Sequence, residues 1–556
     1  MTTLSKSSFG RRAFIGVAAG ALAGVAVPEV VHAAVAAPAD TDAPARKAAP
    51  AGFAARAAGP SNADWTALAH DLSGTLVRPG EAGYGTDKLL FDPRFDSQQP
   101  AGIAYVKSPH DVATCIAFVR KFKIPFSTRS GGHSDGGYSG NTGGLIVDVQ
   151  NFRSVNVSGS TAVVGTGTRL VDFYHALAAK NRAVPGGSCP TVGIAGLTLG
   201  GGIGVTARAY GLTCDFLEEV QIVTADGSIL NINASPQNHG DLFWACQGGG
   251  GGNFGVTTSF TFRTTPAPSP CTFFITWPWS SAAHVVAGWQ AWAPHGPDQL
   301  WSNMHLSASP GHTPSISLGG TYLGSRNDLL NLVGQLYGLI GRQFRPTHAT
   351  INGPQSYLSV MLYEAGCSTI GYQACHLPWY APGGKLVRVP QLTKSDFFTR
   401  PLSSSGISSL LRGVQAFSSV RGGNGAAGGI AFDALGGAVN RVSASATAFV
   451  HRNTLFDAQY TTNWNPSGTT QAEINNQHAW ILGFWKSMRG FASGQAYQNY
   501  IDPEQPNWQQ AYYGANYPRL QQIKRKYDPT RVFNFAQAIT PAASSSQSQV
   551  IVPVTG

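Results

Sequence analysis

The sequence predicts an α+β protein of more than one domain. Its 556 residues are too many for one ordinary core. From Ile103 onward, strand and helix patterns alternate, and a hairpin signal interrupts them. From about residue 267 the chain changes character and becomes rich in Trp and Tyr.

Residues 1–33 read as a Tat-type signal peptide. Lys6, Arg11 and Arg12 precede an apolar run over 13–27, and Val31-His-Ala33 offers a small-residue cleavage site. Arg11-Arg12-Ala-Phe14 resembles a twin-arginine signal, with Gly10 where Ser or Thr is usual. The run is short for a bilayer-spanning helix. Export as a folded protein, and a secreted location, are therefore expected. Residues 34–62 are Ala- and Pro-rich with little periodicity, the composition of a disordered linker. No later apolar run is long enough for a span, so no membrane segment is expected in the mature form.

Residues 63–266 form the first domain. Ile103-Ala-Tyr-Val106 reads as a strand. Over 110–121, apolar residues at 112, 115, 116 and 119 keep helical spacing, and Pro109 and Asp111 suit the start. Ile124-Pro-Phe126 leads into a glycine-rich segment. Residues 145–149 and 161–164 read as strands, and 172–179 as a helix leading to a second glycine-rich segment. Residues 220–223 and 228–232 bracket Ala225-Asp-Gly227, a hairpin signal. Residues 256–262 alternate like a strand. The block 267–480 holds Trp277, Trp279, Trp289, Trp292 and Trp301, with helical patterns at 328–339 and 403–414 and strands at 315–322 and 429–432. Such aromatics pack while presenting one polar atom, which suits either a core or a wall over an organic substrate. Residues 481–540 follow as a separate C-terminal segment, and 541–556 as a tail.

Charge and cysteine usage narrow the function. The net charge is +10, and +8 without residues 1–33, which hold Lys6, Arg11, Arg12 and Glu29. The basic residues are scattered, with Lys524-Arg-Lys526 the densest cluster, so nothing resembles a nucleic-acid footprint. The seven cysteines form no C-x-x-C and no metal-ligand spacing, so no metal is expected. Cys115, Cys214 and Cys246 lie in apolar contexts and read as buried thiols. Cys367 and Cys375 flank a short polar segment and either pair after export or stay reduced.

The chemistry concentrates in the two glycine segments. One is Arg129-Ser-Gly-Gly-His133-Ser-Asp-Gly-Gly-Tyr-Ser-Gly140. The other is Pro185-Gly-Gly-Ser-Cys189-Pro-Thr-Val-Gly-Ile-Ala-Gly-Leu-Thr-Leu-Gly-Gly-Gly-Ile-Gly204. Each sets one nucleophilic side chain in backbone with little bulk. Exposed N–H groups in such stretches cradle anions, so the reading is a phosphate-bearing cofactor with an imidazole and a thiol aimed at it. Two decoys fail on context. Gly132-His-Ser134-Asp-Gly136 fits a serine-hydrolase elbow, but the glycines after it cannot sustain the required helix. Gly250-x-Gly252-x-x-Gly255 fits a dinucleotide fingerprint, but it opens a strand pattern.

These segments resemble the berberine-bridge-enzyme-like flavin oxidases, a branch of the vanillyl-alcohol-oxidase flavoproteins. His133 stands in R-S-G-G-H and Cys189 in G-x-C-P-T-V-G. The resemblance extends to Asp241-Leu-Phe-Trp244, Asn253-Phe-Gly-Val256, Ala496-Tyr-Gln-Asn-Tyr-Ile-Asp502, Tyr527-Asp-Pro529 and Phe533-Asn-Phe535, and spans about residues 65–540. It implies a two-subdomain FAD-binding domain over 63–266, a substrate domain over 267–480 whose sheet covers the flavin, and a return of 481–540 to the first domain. It implies FAD held covalently by His133 and Cys189. Arg129, Ser130, Gly131, Gly132, Ser134, Val192, Gly193, Gly196, Gly201, Gly202 and Val256 then belong to the cofactor cradle, joined by Tyr497 and Asn499. Val192 falls where relatives with valine tend to admit oxygen. Tyr500, the second tyrosine of Y-x-N-Y, is the implied base. Its phenol needs a lowering neighbour or a concerted step, since free phenols ionise near pH 10. Asp433 is a candidate partner of Tyr500 or of a substrate hydroxyl, and Asp457 a second choice for the base. The implied reaction is oxidation of an alcohol or hemiacetal of a sugar or natural product, with O2 reoxidising the flavin to give H2O2. A flavin dehydrogenase with another acceptor, and a silent flavin-binding protein, stand as alternatives.

Overall fold

The computed structural model describes residues 59–543. The expected signal peptide, nearly all of the linker and most of the tail lie outside them.

Two sheets build the first domain. The smaller has strands in the order Thr75–Val77, Gly102–Tyr105, Leu145–Asp148, Phe126–Arg129, and the last three run parallel. The helix Pro109–Phe122 crosses between parallel strands. Ser108 caps it by accepting from the Asp111 N–H, and its Val112, Cys115, Ile116 and Val119 are buried. The second sheet is antiparallel, in the order Val155–Ser158, Thr161–Gly165, Val256–Arg263, Leu217–Val223, Ile229–Ile232. Its last two strands pair as the hairpin expected around Ala225-Asp-Gly227.

The second domain is one seven-stranded antiparallel sheet. Its order is His348–Asn352, Cys271–Trp277, Ser315–Tyr322, Leu300–Ala308, Ala427–Ala434, Phe456–Asn463, Gln391–Phe398. Period-two alternation sorts its side chains. Phe273, Ile275, Met304, Leu306, Ile430, Phe432, Phe456 and Tyr460 point to one face. There they join a core with the helices Ala282–Trp292, Arg326–Ile340, Ser404–Ala416 and Gln471–Met488. Trp301, Asn303, His305, Asp433 and Gln459 alternate to the other face. The aromatic block therefore does both jobs: Trp277, Trp289 and Trp292 are core, while Trp301 faces the cofactor domain and packs in its cluster.

One expected boundary moves. The helix Gln471–Met488 runs through residue 480, where the substrate domain was expected to end. Its Ile481, Phe484, Trp485 and Met488 pack in the substrate-domain core, so the return to the first domain begins after it. Cys367 and Cys375 are disulfide-bonded. Among the described residues no helix is long and apolar enough to cross a membrane.

Candidate functional site

A large cavity separates the second face of the seven-stranded sheet from the two glycine segments. The first segment leaves the strand Phe126–Arg129. The second passes into the short helix Ile194–Leu199. The segments press together: a Cβ on Gly131 would stand 2.2 Å from the Gly193 nitrogen. That contact brings His133 and Cys189 to the same cavity, which both line.

His133 is fixed on two sides. Its ring stacks on Phe91 with centroids 3.9 Å apart and planes 19° apart, and its Nε2 lies 2.9 Å from Thr191 Oγ1. Burial and the nearby Arg169 guanidinium push the imidazole down to about 3, so it is neutral and nucleophilic over the working pH range.

The remaining cradle residues divide by geometry. Gly132, Ser130, Ser134, Val192, Gly193, Gly196 and Val256 line the cavity. Ser130 Oγ donates to the Thr166 carbonyl at 2.7 Å, and Ser134 Oγ accepts from the Tyr138 N–H. Arg129 is no free loop cation. It is buried and ion-paired with Asp148 on the neighbouring strand, while its Nη1 has no hydrogen-bond partner among the described residues. Gly201 and Gly202 correct the expectation, because they do not line the cavity. A Cβ on Gly201 would meet Phe449 at 2.7 Å, and one on Gly202 would meet Thr213 at 2.2 Å. Both have positive φ. Their task is to turn the chain so that the Gly202 N–H donates to the Tyr497 hydroxyl at 2.9 Å. Asn499 Nδ2 donates to the same hydroxyl and to the Leu197 carbonyl. Tyr497 and Asn499 are thus locked at the cavity edge, and Tyr500 follows them into it.

These groups fit FAD. Gly196 has nothing within 4 Å of an added Cβ, and Gly251 and Gly252 meet their first neighbour only at 3.6–3.7 Å, so side chains there would fill the cavity. The Gly250–Gly252 run, a decoy as a dinucleotide fingerprint, opens the strand Val256–Arg263 and lines the same space. The unpartnered Arg129 Nη1 supplies a buried donor beside it.

The sheet side is acidic. Asp433 lines the cavity and Asp457 stands directly opposite it on the neighbouring strand. Residues so paired have Cβ atoms about 5 Å apart, and two carboxylates there repel. Asp457 does not line the cavity. It is buried behind Asp433 with Oδ1 unpartnered among the described residues, which removes it from contact with a substrate. Burial raises both carboxyls, and Asp433 raises Asp457 further. Burial, then the Asp457 and Asp433 charges, push the Tyr500 phenol up, which leaves the concerted step of the two expected routes.

The sequence reading missed Glu364, His305 and Gln459 on the sheet side, and Thr191 and Phe91 beside His133. Strand alternation from Asp433 could have placed Gln459 and His305, had the partner strands been recognised. Among the described residues no group of His, Cys, Asp and Glu could hold a metal.

A family model described as an FAD binding domain matches residues 100–233, and one described as berberine and berberine like matches 496–540. The chain is 32% identical to the FAD-linked oxidoreductase YgaK of Bacillus subtilis (strain 168), over 85% of this chain and 98% of that protein. It is 29% identical to a glucooligosaccharide oxidase of Sarocladium strictum, over 83% of this chain and 91% of that one. Among solved structures, BBE-like 1 of Physcomitrella patens superposes with a TM-score of 0.76 at 30% identity, over 86% of this chain and 99% of that one. The two family models, and relatives covered along nearly their whole length, agree: the chain belongs to the berberine bridge enzyme-like family of FAD-linked oxidoreductases.

Proposed function

We propose that this protein is a secreted oxidase that holds FAD through both His133 and Cys189 and oxidises an alcohol or hemiacetal of a sugar or natural product. The observation that carries it is one cavity lined by His133, Cys189, Tyr500 and Asp433 together. FAD, when bound, supplies the hydride acceptor and the route to O2. The chain's residues handle the proton. As the substrate C–H bond gives up its hydride, the hydroxyl passes its proton to the Tyr500 phenol, and ionised Asp433 takes the phenol proton. The product is the carbonyl. The neutral His133 imidazole and the Cys189 sulfur tether the cofactor, which leaves the sheet side open for a bulky substrate. The relatedness to a glucooligosaccharide oxidase supports a carbohydrate substrate.

Anaerobic mixing with candidate oligosaccharides and natural-product alcohols should bleach the flavin, and admitting air should restore colour with one H2O2 per turnover. Bleaching without reoxidation in air would make the protein a dehydrogenase with another acceptor. No bleaching by any alcohol would leave a flavin-binding protein without this activity. Export rests on the twin arginine: replacing Arg11 and Arg12 with Lys should retain the protein in the cytoplasm, and unchanged secretion would remove the Tat route.

A further inference from the structure

Three carboxyls line the cavity, and the proposed reaction uses only Asp433. Asp135 accepts from Gln391 Nε2 at 3.0 Å, which leaves Glu364 without a task. Glu364 is the last residue of the helix Tyr357–Glu364. Tyr357 and Met361 of that helix pack in the cofactor domain's core. The disulfide Cys367–Cys375 follows directly, and Tyr372 and His376 both bond Asp172, at 2.7 and 2.9 Å. The helix end is therefore held from both sides, with Glu364 lining the cavity.

No hydrogen bond joins the Glu364 or Asp433 carboxyl to the described residues, and the Asp433 charge acts on Glu364 through space. Burial, then the Asp433 charge, pushes the Glu364 carboxyl up to about 8. The negative end of the helix dipole works in the same direction. The other groups around this part of the cavity do not compensate. Burial holds His305 down at about 4, so it is neutral. Tyr363 and Tyr500 are neutral phenols, both pushed up by burial. Asp457 adds a third carboxyl behind Asp433. Arg129 is the one Lys or Arg among the lining residues, and it is committed to Asp148 on the cofactor side. Both carboxyls face the cavity, where the donors of a substrate can replace those of water. No metal-holding group occurs among the described residues to supply a cation instead.

We propose that Glu364 determines specificity: with Asp433 it forms an acidic clasp that receives a substrate rich in O–H or N–H donors and turns away one with an anionic group. The substrate class rests on the oxidation proposed above, whereas the charge of the clasp does not. Hydroxyls of a neutral sugar and the ammonium of an amino sugar both meet the requirement, and a uronic acid fails it.

Two measurements on the flavin-loaded protein test this. Sulfite, an anion that adds reversibly to N5 of oxidised flavins and bleaches them, needs no knowledge of the substrate. At about pH 9, Glu364→Gln should bind sulfite about tenfold more tightly than wild type, because a nearby negative charge has been removed. At about pH 6, where Glu364 is protonated, the two should agree, and Glu364→Asp should keep a pH-dependent affinity like that of wild type. The comparison between proteins cancels sulfite's own titration. In the second arm, a neutral disaccharide, its 2-amino counterpart and its uronic acid are compared as substrates. At about pH 9, where Glu364 is ionised, wild type should show a KM for the uronic acid at least about tenfold above the neutral sugar, and Glu364→Gln should close most of that gap through KM more than kcat. A lower KM for the amino sugar in wild type, lost in Glu364→Gln, would identify the ammonium as the preferred donor. Equal sulfite affinity of wild type and Glu364→Gln at about pH 9 overturns the clasp, as does a uronic acid taken as readily as the neutral sugar. If none of the three sugars is oxidised, the carbohydrate reading fails, and the sulfite arm alone decides for or against the clasp.

Discussion

Gly131 and Gly193 touch backbone to backbone. A Cβ on Gly131 would lie 2.2 Å from the Gly193 nitrogen, and one on Gly193 would lie 2.3 Å from the Gly131 nitrogen. Both nitrogens are backbone and cannot swing aside, although the Ser130 hydroxyl stands nearer still to a Gly193 Cβ, at 2.0 Å. This contact sets the spacing between the segment that carries His133 and the segment that carries Cys189. Gly131→Ala should therefore force the segments apart, lower stability by about 1–3 kcal/mol and reduce flavin incorporation. Gly196→Ala is the contrast, since nothing lies within 4 Å of its Cβ. It should melt like wild type when flavin-free and lose flavin only because the methyl enters the cavity. Thermal melts and flavin-to-protein ratios check both, and equal melts for the two variants would remove the argument.

Double attachment has its own readout. The neutral, stacked His133 imidazole and Cys189 line one cavity, so each is placed to bond the cofactor independently. Acid-precipitated wild-type protein should stay yellow. His133→Ala and Cys189→Ala should each keep colour through the remaining bond, and only the double variant should release flavin. A single variant that releases all its flavin would show that one bond is absent.

The cofactor side was legible in the sequence because glycine is used where backbone must approach backbone or ligand, and such positions cluster. Gly131 and Gly193 are of that kind. Gly201 and Gly202 were misread for the same reason. Their positive φ serves a turn under Tyr497, and a glycine run does not reveal which partner it approaches. The helix Pro109–Phe122 and the hairpin at Ala225-Asp-Gly227 were legible because their signals are local. The sheet side was not. Asp433 and Asp457 are 24 positions apart in the chain and meet only through strand register. Glu364 reaches the cavity from a helix packed on the other domain, and nothing local in its sequence signals that. The boundary expected at 480 fell inside Gln471–Met488 because a composition change does not locate the end of a packed helix.

Asp457 should act on the reaction without touching the substrate. It faces Asp433 across the strands. Burial raises both carboxyls, and the Asp433 charge raises Asp457 further, so Asp433 gives up its proton first. The acceptor of the proton must be ionised, so flavin reduction should rise with pH as Asp433 ionises. Asp457 is still protonated there. Asp457→Asn should therefore leave the acid limb of the reduction-rate profile in place and remove only a second change at higher pH. An acid limb that moves to lower pH in Asp457→Asn would show that Asp457 ionises before Asp433.

Tyr500 is the group on which the proton argument turns. It lines the cavity immediately after the locked Tyr497 and Asn499, and its phenol is held up by burial and by the carboxylates. A phenol in that state does not wait as phenolate. It accepts a proton only as it gives one away, which ties it to Asp433. Tyr500→Phe keeps the ring and its edge-on contact with Tyr497, 5.0 Å between centroids, and deletes only the hydroxyl. The variant should fold, retain its flavin and bind substrate with little change, while anaerobic flavin reduction slows by about 10²–10⁴-fold. Asp433→Asn should slow the same step, and the double variant should be no slower than the worse single one, because the two act as one unit. Stopped-flow reduction under nitrogen reads this directly. If Tyr500→Phe reduces at the wild-type rate while Asp433→Asn does not, the carboxylate takes the proton from the substrate itself and the phenol is only part of the wall.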